Sequence, residues 1–353
     1  MLKQSLLKIV ERKDISTEEM EGVMREIMDG KSTPALIASF ITALRMKGET
    51  VDEITGAARV MREKAMRIPL KSRPVSIDED EGNLEVESIL DTCGTGGDNA
   101  NTFNVSTTCA FVAAGAGLKV AKHGNRAVSS CSGSADVLAA LGVSIDLKPE
   151  AVGRCVDELG IGFLYAPSLH SAMKHAMPVR TEIGIRTIFN ILGPLTNPAR
   201  ASAQVVGVYA EELTEKLAHV LLNLGVKRGM VVHGMDGLDE ITVTRESRIS
   251  EVKDGGVHTY FLDPRDYGFT LADAADLAGG TAQKNASITR EILGGAKGPK
   301  RDIVLLNSGA AIYVGGNAAT LAAGIVLASK AIDSGAATKK LDALVELSKE
   351  LST

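Results

Sequence analysis

The 353-residue chain has no tryptophan, and aromatic residues make up only 3% of it. Stacking platforms for single-stranded nucleic acid are therefore scarce. Positive charge is not in excess either. The net charge is −5, which argues against a general nucleic-acid binder. The four cysteines, Cys93, Cys109, Cys131 and Cys155, match no zinc spacing, and four thiols in so long a chain do not make a disulfide scaffold. Apolar runs such as 321–328 stay far below the ~20 residues that span a bilayer. The opening MLKQSLLKIVERKD soon turns charged and offers no small-residue cleavage site. No secretory signal is expected, and a cytoplasmic location is.

What is present is a large core and much glycine. Hydrophobic residues make up 44% and charged residues 24%, enough for about two ordered domains. Glycine is 36 of 353 residues, above the usual ~7%, and excess glycine in an ordered chain points to tight turns and close approach to ligands.

The first 68 residues read as helices. Ser16 to Glu19 and Thr50 to Glu53 have capping-box spacing, Thr33-Pro34 offers an N-cap and a first-turn proline, and Gly48 closes that helix. Residues 69–87, with Pro69, Pro74 and DEDEGNLEVE, read as a linker or exposed loop. Beyond it, strand candidates at 88–90, 118–121, 162–165, 204–209 and 229–234 alternate with helical stretches, the pattern of an α/β domain with a mostly parallel sheet. Residues 248–262 read as a hairpin turning at Asp254-Gly255-Gly256. Helices return from about 287, and 316–335 reads as one well-buried helix starting near Asn317. Two domains are expected: a small helical one over 1–72, joined by helices from about 168–195, and an α/β one over 85–353.

Five segments carry chemistry. Asp91 to Asp98, DTCGTGGD, lies between a strand and a helix, either as an ordinary glycine-rich turn or as a loop whose backbone amides approach an anion. It is neither a Rossmann fingerprint, which needs glycine at Asn99, nor a Walker loop. Asn104-Val105-Ser106-Thr107 opens the next helix, either as a simple N-cap or as a phosphate site. Lys122 to Ser130 sets two cations and several polar side chains at a strand's carboxyl end, where ligands bind in α/β sheets; it is a phosphate site or a solvated loop, whose charges would usually be of mixed sign. Ser134 follows at a helix start. Asp239-Glu240, after a glycine-containing turn, suits Mg²⁺ or is a solvated acidic turn. Arg180 falls in the first turn of a helix begun by Pro178, where the dipole disfavours a cation unless an anion joins it; the alternative is a surface arginine paired with Glu182 or Glu21. His170 and His175 have no metal-ligand partner and read as packing or surface residues. No Ser-His-Asp set and no nucleophilic cysteine are found. Together the segments describe a site for a polyanion, a divalent ion and a second small anion. Phosphoribosyl transfer, which needs no enzyme nucleophile, fits it.

The motifs GTGGD at 94–98, NVST at 104–107, KHGNRAVSS at 122–130, SGSADVL at 132–138, VRTEIGIRTIFNILGPLTNPA at 179–199 and the pair at 239–240 resemble the anthranilate phosphoribosyltransferase family. The resemblance implies a small helical domain on a larger α/β domain, Mg²⁺ dependence and a homodimer. It implies that Gly94, Gly97, Asp98, Thr102, Asn104, Val105, Ser106, Thr107, Lys122, His123, Gly124, Asn125, Arg126, Ala127, Val128, Ser129, Ser130 and Ser134 hold phosphoribosyl pyrophosphate. Gly94, Asn125 and Arg180 would contact anthranilate, and Ser106, Asp239 and Glu240 would serve the metal. No general acid or base is assigned. Cys131 departs from the family, which commonly carries lysine there. A pyrimidine nucleoside phosphorylase of the same fold is opposed by the Arg180 segment and the Asp239-Glu240 pair. A retired homologue that binds nucleic acid or another partner is opposed by the intact motifs and the negative charge.

Overall fold

The computed structural model describes residues 1–71, 74–78, 83–98, 100–127 and 131–352. Four helices open the chain: α1 (Leu2–Val10), α2 (Thr17–Met28), α3 (Pro34–Lys47) and α4 (Val51–Lys64). Both expected capping boxes form. Ser16 Oγ accepts from Glu19 N at 3.2 Å, and Thr50 Oγ1 accepts from Glu53 N at 3.2 Å, with each glutamate reaching back to its cap amide. Thr33 caps α3, Pro34 sits in its first turn, and Gly48 ends it at φ +91°. Each cap supplies an acceptor for an otherwise orphaned amide, worth ~1 kcal/mol.

The linker expected over 69–87 instead contains a two-stranded antiparallel hairpin, β1 (Pro74–Asp78) with β2 (Asn83–Val86). Acidic, proline-containing sequence hid a pairing made only with itself. Then come β3 (Ile89–Asp91), α5 (Val105–Gly115), β4 (Lys119–Gly124), α6 (Ser134–Leu141), α7 (Pro149–Leu159) and β5 (Ile161–Tyr165). The short helices α8 (Ala166–Leu169), α9 (Met177–Ile183) and α10 (Phe189–Leu192) lead back to β6 (Ala203–Gly207), α11 (Leu213–Asn223) and β7 (Arg228–Gly234). The hairpin β8 (Ser247–Lys253) and β9 (Gly256–Leu262) turns where expected. Helices α12 (Ala282–Leu293), α13 (Pro299–Val314), α14 (Leu321–Asp333) and α15 (Ala336–Glu350) finish the chain. The helix expected from Asn317 starts at Leu321, capped by Thr320, and buries one side only, with Val326 67% exposed. Its small residues made the whole stretch read as apolar.

The seven-stranded sheet has the order β5-β4-β3-β6-β7-β8-β9, parallel from β5 to β7 and antiparallel beyond. Strand alternation divides the interior in two. Val205, Met230 and Val232 face a core shared with α5 and α13. Val206 and Val231 face a second core made with α11 and the N-terminal helices. That second core also takes Val179, Ile188, Phe189 and Leu192, so the segment after β5 packs on the helical side. Winding runs outward from β3 to β5 on one side and from β6 to β9 on the other. The switch point of the sheet is therefore between β3 and β6, where α/β sheets open a crevice for ligands.

Candidate active site

Four loops meet outside the carboxyl ends of β4, β3, β6 and β7. The glycine loop leaves β3 and lies on Asp239, in the loop after β7. Gly96 N donates to Asp239 Oδ2 at 2.8 Å, and a Cβ on Gly94 would sit 2.7 Å from the same oxygen. Thr95 N donates to Gly207 O at 2.8 Å, and Tyr209 N donates to Thr95 Oγ1 at 3.2 Å. A Cβ on Gly207 would lie 1.6 Å from Asp239 O, so only glycine lets the β7 loop close over β6. Sequence reasoning missed Gly207, although a glycine inside a strand is itself a sign of close backbone approach.

Asp239 and Glu240 stand in a loop, as their sharing of one region requires. Glu240 Oε1 accepts from Ser106 N at 3.0 Å, so this carboxylate occupies the N-terminus of α5. Asn104 is the N-cap residue by position, but its side chain caps nothing; it accepts from Asn285 at 2.9 Å and donates to Ser132 O at 3.2 Å. Burial, then the charge of Asp98, pushes the Asp239 carboxyl up to about 7. Burial, then Asp239, pushes Glu240 well above the carboxylate range, while Lys122 draws it down. Among the described residues neither carboxylate has an ion pair. Asp239, Glu240 and Ser106 line one cavity and make an oxygen donor set suited to a hard divalent cation.

Lys122 is not a surface cation. It is 3% exposed, and its ammonium donates to Thr92 O at 2.9 Å and Ser106 Oγ at 3.3 Å beneath the glycine loop. The next residue on β4 points the other way: His123 Nδ1 lies 3.1 Å from Gly193 O and its Nε2 3.2 Å from His170 Nε2. Burial pushes His123 down to about 3 and His170 to about 4, so both are neutral packing residues at pH 7. His175 packs against Gly30.

After Gly124, whose missing Cβ leaves room for Ser134 Oγ, the chain folds back on α6. Ser134 Oγ donates to Asn125 O at 3.3 Å. Arg126 is paired with Asp136 at 2.7 Å, and the same carboxylate accepts from the amides of Ala127 and Gly133, each at 3.0 Å. Val128, Ser129 and Ser130 lie outside the described residues. Val105 and Thr107 are buried in the wall of α5, and Thr102 bridges to Ala278. Burial pushes the Cys93 and Cys109 thiols up, so neither supplies a thiolate nucleophile.

Arg180 is the fourth residue of α9. It is half-buried, stacks its guanidinium 5.3 Å above the Phe189 ring, and among the described residues has no carboxylate partner, neither Glu182 nor Glu21. Burial lowers its pKa, the mark of a cation short of a counter-ion.

The comparisons with known proteins agree with this architecture. A glycosyl transferase family helical bundle domain matches residues 3–65, and a glycosyl transferase family a/b domain matches 86–338. The chain is 58% identical over 350 residues to the anthranilate phosphoribosyltransferase of Geotalea uraniireducens, covering 99% of this chain and 100% of that one. It is equally similar to that of Geobacter sulfurreducens over the same spans. The crystal structure of the Thermus thermophilus anthranilate phosphoribosyltransferase superposes with a TM-score of 0.89 at 42% identity, covering 98% of this chain and 99% of that one. The Saccharomyces cerevisiae enzyme, solved in complex with PRPP and Mg, gives 0.86 at 27% identity, covering 99% of each. The resemblance drawn from six ordered motifs is borne out over both units, and the chain belongs to the anthranilate phosphoribosyltransferase family.

Proposed function

We propose that this chain transfers the 5-phosphoribosyl group of phosphoribosyl pyrophosphate to the amine of anthranilate, giving N-(5-phosphoribosyl)anthranilate and pyrophosphate in tryptophan biosynthesis. The observation that carries this reading is 58% identity, along nearly its whole length, to relatives bearing that name. The geometry supports it. The glycine loop would present the amide of Gly97 to the pyrophosphate, the amides of Gly96 and Ser106 being taken by Asp239 and Glu240, beside the loop that opens at Asn125. Arg180 offers a planar, unneutralised cation to the one carboxylate of anthranilate. Asp239, Glu240 and Ser106 would hold Mg²⁺, which when bound neutralises charge on the leaving group. The aromatic amine is neutral at pH 7, so it attacks the anomeric carbon without prior deprotonation, and the ribose configuration inverts. Positioning and charge stabilisation then supply the rate.

The working cleft is the one between the helical unit, 1–72 with helices from 168–195, and the α/β unit, 85–353. Leu7 and Val10 on α1 and Met46 on α3 are 63%, 65% and 73% exposed, an apolar face that supports a homodimer formed through the helical unit. Loss of anthranilate fluorescence on mixing with phosphoribosyl pyrophosphate and Mg²⁺ tests the activity. No loss, with release of thymine from thymidine and phosphate, would replace it by a nucleoside phosphorylase. Light scattering at micromolar protein tests the dimer.

A further inference from the structure

The segment that carries Arg180 holds a second arginine with a different partner. Arg186 follows the turn at Gly184, and its guanidinium donates to the carbonyl of Gly97 in the glycine loop. The same guanidinium lies 4.3 Å above the Tyr209 ring. It also packs against Gly97, where a Cβ would stand 3.3 Å from its Nη2. Among the described residues no carboxylate pairs with Arg186.

Within residues 94–97 of the glycine loop only Thr95 has a side chain with which to fix itself, and it is held by Tyr209 N. Gly96 and Gly97 have φ of +64° and +80° and depend on outside partners to stay there. Asp239, Gly207 and Tyr209 supply three of these from the α/β side. Arg186 supplies one from the other side, for Ile188 and Phe189, just beyond it, are buried in the core shared with the N-terminal helices. A carbonyl held by a guanidinium is also kept from turning toward a phosphate, which it would repel.

We propose that Arg186 is a positioning residue that latches the glycine loop to the segment carrying Arg180, so that the polyanion site and the second substrate's site form together. This rests on the function proposed above. The latch holds Gly97 through one charge-assisted hydrogen bond and is itself held by stacking on Tyr209.

Calorimetry with phosphoribosyl pyrophosphate and Mg²⁺, beside hydrogen exchange of residues 94–97, tests it. Arg186→Ala weakens binding about tenfold or more, the scale of one charge-assisted bond. It also speeds exchange of the loop amides, while the melting temperature stays near wild type. Arg186→Lys recovers only part, because lysine has neither the fork nor the stacking. Tyr209→Ala moves both readouts the same way by a smaller factor. Wild-type affinity and wild-type exchange in Arg186→Ala overturn the latch. Should that variant not fold, unchanged affinity and exchange in both Arg186→Lys and Tyr209→Ala overturn it. Should the wild type itself not bind phosphoribosyl pyrophosphate, the proposed function fails, and the exchange rates alone decide the latch.

Discussion

Two regions of the molecule embed carboxylates, and they treat them in opposite ways. In the helical unit Glu53 is fully buried and fully served: Lys47 Nζ donates at 3.0 Å, Thr50 N at 2.8 Å and Ile15 N at 3.2 Å. In the cleft Asp239 has the amide of Gly96 and Glu240 that of Ser106, and each other's charge besides. Burial is common to both, so burial does not distinguish a structural carboxylate from a functional one. The supply of donors does. A carboxylate served by three donors is fastened into the fold, whereas one short of donors keeps capacity for a ligand and raises the energy of the empty protein.

The largest test of this contrast is Asp239→Asn with Glu240→Gln. Several kcal/mol of charge stabilisation should be lost, about a thousandfold in turnover, and the melting temperature should hold or rise because like charges are removed. Turnover assays and thermal melts check both halves; a lower melting temperature with intact turnover would erase the contrast. Glu53→Ala is the mirror image. It leaves the amides of Thr50 and Ile15 without their acceptor, while Lys47 keeps Asp14 at 2.6 Å, and denaturant titration should show a loss of about 1–3 kcal/mol, with kcat/KM of the folded fraction unchanged. Arg180→Ala carries the comparison to cations. It should raise the anthranilate KM about ten- to a hundredfold and the phosphoribosyl pyrophosphate KM far less; equal losses for both substrates would make Arg180 a support for the structure or the phosphate site.

The smallest effect concerns buried groups that stay neutral. His123 and His170 have folded pKa values below the usual 6.5, so the unfolded chain binds more protons between about pH 6.5 and their folded values of about 3 and 4. Their contribution is present above 6.5 and is lost as pH falls through that window. Each histidine costs up to about 1.4 kcal/mol per pH unit there. Urea titrations at pH 7 and 5.5 should show a smaller drop for His170→Gln than for wild type; an equal drop would assign acid sensitivity elsewhere.

Contiguous features were legible in the sequence. The capping boxes at Ser16 and Thr50, the α/β alternation and the glycine loop each sit within a few residues, where local rules apply. Contacts across the fold were not. Asp239 reaches Gly96 over 143 residues, and Arg186 reaches Gly97 over 89; no local pattern encodes such a distance. Lys122 was readable as a cation near the site but not as one sunk beneath it, since period two shows that Lys122 and His123 part ways and not which face meets Thr92. The pairing of β1 with β2 escaped because the acidic residues and prolines of 69–87 read as a linker.

The pairing of β3 with β6 has a consequence for how the protein comes into being. Leu90 lies beside Ala203, so the two halves of the cleft are synthesised more than a hundred residues apart. A nascent chain that has already completed β3, β4 and β5 still lacks the strand that brings Gly207 beneath Asp239. Such non-local pairings form slowly, because the loop must close before any contact rewards it. No partly made chain holds the whole pocket, so a ligand of this site rewards only the finished protein and pulls late-folding molecules toward it by mass action.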